Sequence, residues 1–382
     1  MKLAMICPYP VDGDTNKIIG GVQAVAVNMI KGLSGFRDLD IHIVTANFSI
    51  NKQRSFSFHG INLHIVPLDK RFGNITLYAR TRKMLTRKID ELAPDVIHSH
   101  MFGYYTLAAL NSKYSEKTIV STHGISDSNW GIRCCLKEKI RRHLQDYIYV
   151  CCARRSRRLI INSPFTRVAL AGFGKKIIYE LKNPISDLFF ITDNRFLEDR
   201  RILFVGNVSN AKGIDTLLDS MALIKPEFSR LKLIIAGDFQ DEGFRRKMFG
   251  FIKEHVLNDA VDFLGHISDE RLRDEYVKAS VFVLPTQQDV APLAMLQAMA
   301  GGKAVVVSRV GGLPYIINDG INGLLIEKRD SKGLAEKLSL LLKDNMLRKT
   351  LGDNARKSIG NDYRITNVSK ALYSIYREIA NV

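Results

Sequence analysis

The chain alternates compact apolar runs with longer amphipathic ones, and the alternation recurs from end to end. Residues 3–7, 41–45, 63–66, 94–98, 118–122, 159–163 and 177–183 are short stretches rich in apolar side chains. They read as strands buried on both faces of a sheet. Between them, residues 22–33, 75–92, 137–158 and 164–174 carry apolar side chains at helical spacing. The pattern lapses over 184–200 and then resumes. Strands follow at 201–205, 231–237, 260–265, 281–284 and 304–308, and helices at 214–224, 244–257, 267–280, 292–300, 332–343, 345–358 and 365–380. Such alternation predicts an α/β protein of doubly wound parallel sheets, with ligands at the carboxyl ends of the strands. Two series predict two Rossmann-like domains, 1–185 and 201–360, joined by a linker at 186–200. Residues 361–382 are expected to form a terminal helix that crosses back to the first domain.

The second series is organised around residues 281–302, VFVLPTQQDVAPLAMLQAMAGG. An apolar strand closes at Pro285, a polar loop follows, and a run of good helix formers ends at Gly301-Gly302. Pro292 stands just inside the expected helix start, the usual place for proline. A loop at a strand's carboxyl end that feeds a helix N-terminus suits a phosphate. Asp289 and Gln297 lie eight residues apart; if the whole segment were helical, both would face one pocket. In the first series Gly20-Gly21 separates a strand from a helix in a similar cradle, without the G-x-G-x-x-G dinucleotide fingerprint.

Composition narrows the class. At 382 residues, 46% apolar and 25% charged, the chain fits a two-domain globular protein. It contains no apolar run near the roughly 18–20 residues that cross a membrane. Residues 1–10 read as a first strand, not a signal peptide, so a cytoplasmic location is expected. The five cysteines (Cys7, Cys134, Cys135, Cys151, Cys152) are too few and wrongly spaced for a disulfide framework or a zinc site, and read as reduced thiols. His98 and His100 form an H-x-H pair without carboxylates or thiols at ligand spacing, which argues against a metal.

Several segments carry a family resemblance. ILFVGNVSNAKGIDTLLDSMALI, followed by VDFLGHISDERLRDEYVKASVFVLPT and DVAPLAMLQAMAGGKAVVVSRVGGLPYIINDGINGLLI, resembles the donor domain of retaining glycosyltransferases of family 4. Gly20-Gly21, DVIHSH, His123-Gly124 and INSPF in the first half agree with that family more loosely. The resemblance implies a GT-B fold, two Rossmann-like domains facing a cleft, with a nucleotide-diphosphate sugar as donor and neither cofactor nor metal. It implies that Lys212 holds the diphosphate, with Asn207 where the family usually has arginine. Asp289 and Gln297 stand where the family has paired glutamates, the first near the transferred sugar and the second at the ribose. Pro292 and Leu293 open the helix that receives the diphosphate, Gly21 belongs to the donor-side loop, and His123 would hydrogen-bond the sugar. Read without the family, Lys212 is a solvated loop lysine and Asp289 a charge that complements a helix dipole. On the same footing Gln297 ties its helix to a loop, and His123 is a satisfied histidine at a strand end.

Charge adds a partner. The net charge is +17, and residues 1–190 hold 28 Lys/Arg against 14 Asp/Glu. Arg80, Arg82, Lys83, Arg87 and Lys88 line one predicted helix; Arg141, Arg142, Arg154, Arg155, Arg157 and Arg158 line another. An anionic membrane surface fits this pattern, at roughly 1 kcal/mol per Lys or Arg contact. Nucleic acid does not, because no aromatic platform accompanies the charge. The expected function is hexose transfer to a glycan or lipid-linked acceptor in cell-surface polysaccharide or glycolipid synthesis, on the inner membrane leaflet. The alternatives are a catalytically degenerate nucleotide-binding or scaffold subunit, motivated by Asn207, Asp289 and Gln297, and a sugar-nucleotide epimerase on the same fold.

Overall fold

The computed structural model describes residues 1–11, 20–69, 76–125, 136–191 and 200–381, those of 136–142 by backbone alone. The chain divides into two compact units, Met1–Pro184 with Ile365–Val382, and Ile185–Arg364.

The first unit runs β1 (Lys2–Ile6), α1 (Gly21–Leu33), β2 (Asp40–Asn47), β3 (Arg54–Phe58), β4 (Ile61–Pro67), α2 (Ala79–Leu92), β5 (Val96–His100), α3 (Tyr104–Leu110), β6 (Thr118–Thr122), α4 (Leu136–Arg155), β7 (Arg158–Ile161), α5 (Pro164–Leu170) and β8 (Ile177–Glu180). Its sheet has the order β3-β4-β2-β1-β5-β6-β7-β8. Outward from β5 the strands follow chain order to β8, and outward from β1 they run β2, β4 and then the edge strand β3, so the topological switch lies between β1 and β5. Sheets of this kind bind ligands beyond the carboxyl ends of those strands. The central strands are apolar because helices cover both faces. Ala4, Ile6, Val44 and Ile97, for example, pack with Leu85 and Ile89 of α2 and Ala108 and Ala109 of α3.

Three elements of this unit depart from the sequence expectation, as does the short strand Leu324–Ile326 of the second. β3 was not anticipated, and it pairs antiparallel with β4. As an edge strand, largely exposed, it needs no apolar run, and His59-Gly60, with φ of 45° and 75°, closes its hairpin. α3 was missed because six of its seven residues are buried, leaving no polar face to mark a helical period. α4 ends at Arg155 instead of continuing through 158, since Arg158 opens β7 and registers with Ile119 of β6.

The second unit runs β9 (Arg201–Val205), α6 (Ile214–Ile224), β10 (Lys232–Ala236), α7 (Glu242–Glu254), β11 (Val261–Gly265), α8 (Asp269–Lys278), β12 (Val281–Leu284), α9 (Leu293–Ala300), β13 (Ala304–Ser308), β14 (Leu324–Ile326), α10 (Ser331–Lys343) and α11 (Asn345–Ile359). Its sheet is parallel, ordered β11-β10-β9-β12-β13-β14, with the switch between β9 and β12. Every residue of β12 and β13 is buried. Ser268 caps α8 by accepting the Arg271 N–H, the half of a capping box that the sequence contains.

The last helix, α12 (Ile365–Ala380), belongs to the first unit and packs on α1. Val368, Leu372, Tyr376 and Ile379 form its buried stripe at helical spacing. The contact is close: a Cβ added to Gly32 of α1 would lie 1.9 Å from Ser369 Oγ. Cys7 and Cys152 are buried and Cys151 half-buried, all as free thiols; Cys134 and Cys135 lie outside the described residues. Among the described residues no helix is long and apolar enough to cross a membrane.

Candidate functional site

In the second unit the site residues gather at the carboxyl ends of β9 and β12, the two strands at the switch. β9 ends in Gly206-Asn207, and the chain then turns through a short 3-10 helix, Asn210–Lys212, into α6. Gly213 makes that turn with φ of +73°, and a Cβ on it would lie 1.9 Å from the Pro285 carbonyl oxygen. Glycine here lets the loop after β9 lie against the loop after β12. The two loops are then tied together. The Gln287 N–H donates to the Ala211 carbonyl (2.9 Å), and Gln287 Nε2 donates to the Asn210 carbonyl (2.7 Å). Gln287 Oε1 accepts from Arg329 Nη2 at 2.8 Å.

This lacing sets Lys212 beside Asp289. Lys212 Nζ lies 2.5 Å from Asp289 Oδ2, the two side chains being 28% and 17% exposed. Asp289 is fixed through its backbone as well, its carbonyl accepting the Gly312 N–H at 2.9 Å. Pro292 is the N-cap of α9, with φ of −65° and ψ of 122°, and caps nothing with its side chain. The first-turn amides, beginning with Leu293, therefore have no side-chain acceptor at their head, which is the arrangement that receives an anion.

Two sequence expectations about this stretch are corrected. Pro292 precedes the helix and is not its first residue, because its ψ is extended. Asp289 and Gln297 do not share a helix face, because α9 begins only at Leu293 and Asp289 sits in the loop before it. Gln297 is buried: the Tyr276 hydroxyl donates to the Ala294 carbonyl at 2.8 Å and lies 3.2 Å from Gln297 Oε1.

In the first unit Gly21, His100 and His123 leave the same edge of the sheet, at the carboxyl ends of β1, β5 and β6. Gly21 is the first residue of α1, with Gly20 as N-cap, and a Cβ on either would meet nothing within 4 Å among the described residues. His98, His100 and His123 form an array. His98 Nδ1 lies 2.5 Å from Tyr376 Oη of α12, and His98 Nε2 lies 2.7 Å from Ser121 Oγ. His100 Nδ1 lies 2.9 Å from His123 Nε2, with the two rings stacked 5.0 Å apart. Burial pushes His98 down to about 3 and His123 down to about 4; burial and its two neighbours hold His100 well below the usual histidine range. All three are neutral near pH 7.

The neutral array has a preferred proton arrangement. His100 Nε2 is buried without a partner among the described residues. A buried unpaired N–H is rarer than an unpaired lone pair. His100 therefore carries its proton on Nδ1 and donates to His123 Nε2, which leaves His123 with its own proton on Nδ1. His123, half-buried, is set as a hydrogen-bond donor through that atom. The H-x-H pair that resembled metal ligands is thus hydrogen-bonded to hydroxyls and to a third histidine. Sequence reasoning missed Tyr376, Ser121, Gln287 and Arg329; none stands in a motif, and Tyr376 lies 278 residues from its partner His98.

Residues 189–358 match the family described as Glycosyl transferases group 1, and residues 19–185 match Glycosyltransferase Family 4. An uncharacterized glycosyltransferase of Methanocaldococcus jannaschii is 27% identical over 365 residues, spanning 95% of this chain and 96% of its own. The phosphatidyl-myo-inositol mannosyltransferase of Mycolicibacterium smegmatis is 23% identical, across 100% and 94% of the two chains. The solved structure of a sucrose-phosphate synthase from Thermosynechococcus elongatus superposes with a TM-score of 0.80 at 20% identity, covering 99% of this chain and 98% of that one. Matched along both halves and in fold, the chain belongs to the group 1, family 4 glycosyltransferases of GT-B architecture.

Proposed function

We propose that this glycosyltransferase is a retaining hexosyltransferase whose second unit holds a nucleotide-diphosphate sugar and whose first unit receives a glycan or lipid-linked acceptor. The observation that carries the reading is Lys212 held 2.5 Å from Asp289 at the β9/β12 switch, beside the uncapped start of α9. In the transfer the bond from the anomeric carbon to the diphosphate oxygen breaks. A bond to the acceptor oxygen forms on the same face, and the acceptor's proton passes to the departing phosphate. Negative charge grows on that phosphate, where Lys212, the α9 amides and the neutral donor Asn207 stabilise it. Asp289 orients Lys212 and approaches the sugar, and His123 donates to a sugar hydroxyl. Gln297 serves the ribose side of α9, and Gly21 leaves backbone room for the donor. Charge neutralisation by Lys212 removes the need for a metal, so chelators should leave turnover unchanged.

The acceptor side is cationic. Arg80, Lys83 and Arg87 are exposed at i, i+3 and i+7 along α2, one helix face suited to an anionic leaflet. Arg141 and Arg142 lie among residues whose side chains are not described. That one relative is named for mannosyl transfer to phosphatidyl-myo-inositol supports a lipid-linked acceptor.

The test is Lys212→Ala, assayed against a panel of nucleotide sugars. Losing a charge-assisted contact to the diphosphate should weaken donor binding at least about tenfold. Losing its growth in the transition state should lower turnover by about 10²–10³-fold. Unchanged turnover sinks the assignment. The buried setting of Gln297 against Tyr276 favours one second reading, a nucleotide-binding subunit without catalysis. Donor binding by calorimetry with neither transfer nor hydrolysis would select it.

A further inference from the structure

In the second unit β14 passes into α10 through a turn at residues 327–330, which the Asp330 N–H closes on the Glu327 carbonyl at 3.2 Å. Arg329 holds the third position of that turn with φ of +64°. A positive φ at that position ordinarily selects glycine or asparagine, and a bulky residue there stores strain. The backbone of the turn gives no reason for an arginine, but the side chain does. Arg329 Nε (3.2 Å) and Nη2 (2.8 Å) both donate to one atom, Gln287 Oε1. Gln287 is buried, and with its oxygen so occupied its amide faces one way only. Nε2 donates to the Asn210 carbonyl at 2.7 Å and to Asn210 Oδ1 at 2.9 Å. Asn210 is fixed in turn, because its Nδ2 donates to Asp215 Oδ2 at 2.6 Å. Donors therefore point in one direction along the row Arg329, Gln287, Asn210, Asp215, from a guanidinium at its head to a carboxylate at its foot, and each bond polarises the next. The row passes through Asn210–Lys212, the 3-10 turn that carries Lys212.

We propose that Arg329 is a positioning residue for the donor site: through Gln287 it holds the 3-10 turn from which Lys212 reaches Asp289, and its left-handed backbone is retained for that contact. The inference rests on the reading of Lys212 as the cation that meets the diphosphate. Arg329 itself touches no reacting atom in this role. A guanidinium suits it because two of its N–H groups lie in one rigid plane and converge on a single acceptor, which an ammonium on a flexible stem does not reproduce. Without Arg329 the Gln287 amide loses the partner that orients its oxygen, and Asn210 shares its two donors with other orientations of that amide. Lys212 stays on its loop but is less often in place, so the loss is smaller than that of the ammonium itself.

The experiment uses the full chain as wild type, Arg329→Gly, Arg329→Lys and Lys212→Ala. Hydrogen–deuterium exchange reads the loop without a ligand, at the Lys212, Gly213 and Gln287 amides that donate to Ser209, Asn210 and Ala211. Titration calorimetry with UDP, GDP, ADP and TDP reads the diphosphate site. In Arg329→Gly those amides should exchange about tenfold faster, as befits a lost charge-assisted bond, and the nucleoside diphosphate should bind about three- to tenfold more weakly. Its melting temperature should stay at or above that of wild type, because glycine takes the positive φ without strain. A melting temperature that falls in step with affinity overturns the proposal in favour of a contact that only stabilises the fold. Loop exchange at the wild-type rate overturns it, as does faster exchange with unchanged affinity. Arg329→Lys should leave both defects largely in place; affinity restored while the loop still exchanges fast overturns the proposal in favour of direct attraction between charge and diphosphate. Lys212→Ala separates the two readings. Weaker binding there, with wild-type behaviour in Arg329→Gly, rejects the positioning role alone, whereas wild-type binding in Lys212→Ala, or failure of all four diphosphates to bind, rejects the donor reading and the positioning role with it.

Discussion

Acidification should unfold the first unit through its histidine array before it titrates the site. His98 is fully buried, between the Tyr376 hydroxyl and Ser121, and burial holds its folded-state value at about 3 against an ordinary 6.5. In the unfolded chain the same imidazole protonates below about 6.5. The unfolded state therefore binds the extra proton between these values, so stability is full above about pH 7 and falls as pH drops through 6.5 toward 3. At pH 5 the loss from His98 alone is about 2 kcal/mol. His100, His123 and His64, all shifted down chiefly by burial, act in the same direction; half-buried His123 contributes less than its shift suggests because solvent screens it. The assay is urea unfolding followed by circular dichroism, at several pH values from about 7.5 to 5, for wild type and His98→Gln. At neutral pH the variant should be the less stable, having lost one of its hydroxyl contacts. By pH 5 its deficit should shrink by about 2 kcal/mol, since glutamine takes up no proton. A deficit that stays constant across the range would refute the argument. Because His123 itself titrates only at about 4, turnover measured on folded protein should show no histidine limb between about pH 5.5 and 8.

Three further outcomes follow from the packing. Gly213→Ala must abandon either its left-handed turn, which costs a non-glycine residue about 1–2 kcal/mol, or the contact with Pro285; donor affinity should fall with stability, and calorimetry showing wild-type affinity would contradict the lacing of the two loops. Gly32→Ala should lower the urea midpoint by the equivalent of about 1–3 kcal/mol despite alanine's better helix propensity, because its Cβ would overlap Ser369 and Ile365 of α12. Tyr276→Phe leaves the Ala294 carbonyl and Gln297 without their hydroxyl partner, and should cost about 1–3 kcal/mol in urea unfolding.

The central strands were legible because burial on both faces writes itself as an uninterrupted apolar run, as in VVV of β13. β3 was illegible for the converse reason: an exposed edge strand is specified by its pairing with β4, and RSFSF carries no burial signal. The loop that holds Lys212 could be placed from its position between strand and helix. The partner of Lys212 could not, because its approach to Asp289 depends on Gly213 fitting beneath Pro285 across 72 residues of chain. One backbone angle, the extended ψ of Pro292, keeps Asp289 off the helix that carries Gln297, and residue spacing does not reveal it. For the histidines, a two-residue spacing suggested metal ligands, while the partners that define their role come from β6, from beyond β6 and from the final helix.

That final helix makes the first unit discontinuous in sequence, and the order of synthesis then matters. While residues 1–364 are on the ribosome, the face of α1 around Gly32 and the Nδ1 atom of His98 lack the cover that α12 later supplies. Closing a loop of 278 residues between His98 and Tyr376 costs about 5 kcal/mol in chain entropy if the intervening chain is unstructured. The second unit shortens that path when it folds, because its two ends meet: the Ile185 N–H donates to the Tyr363 carbonyl at 2.7 Å. With those ends joined, the effective loop shrinks to about a hundred residues and the cost falls by on the order of 1 kcal/mol. Folding of the inserted segment thereby returns the chain at Ile365 close to where it left the first unit at Pro184, and shortens the search by which α12 finds α1.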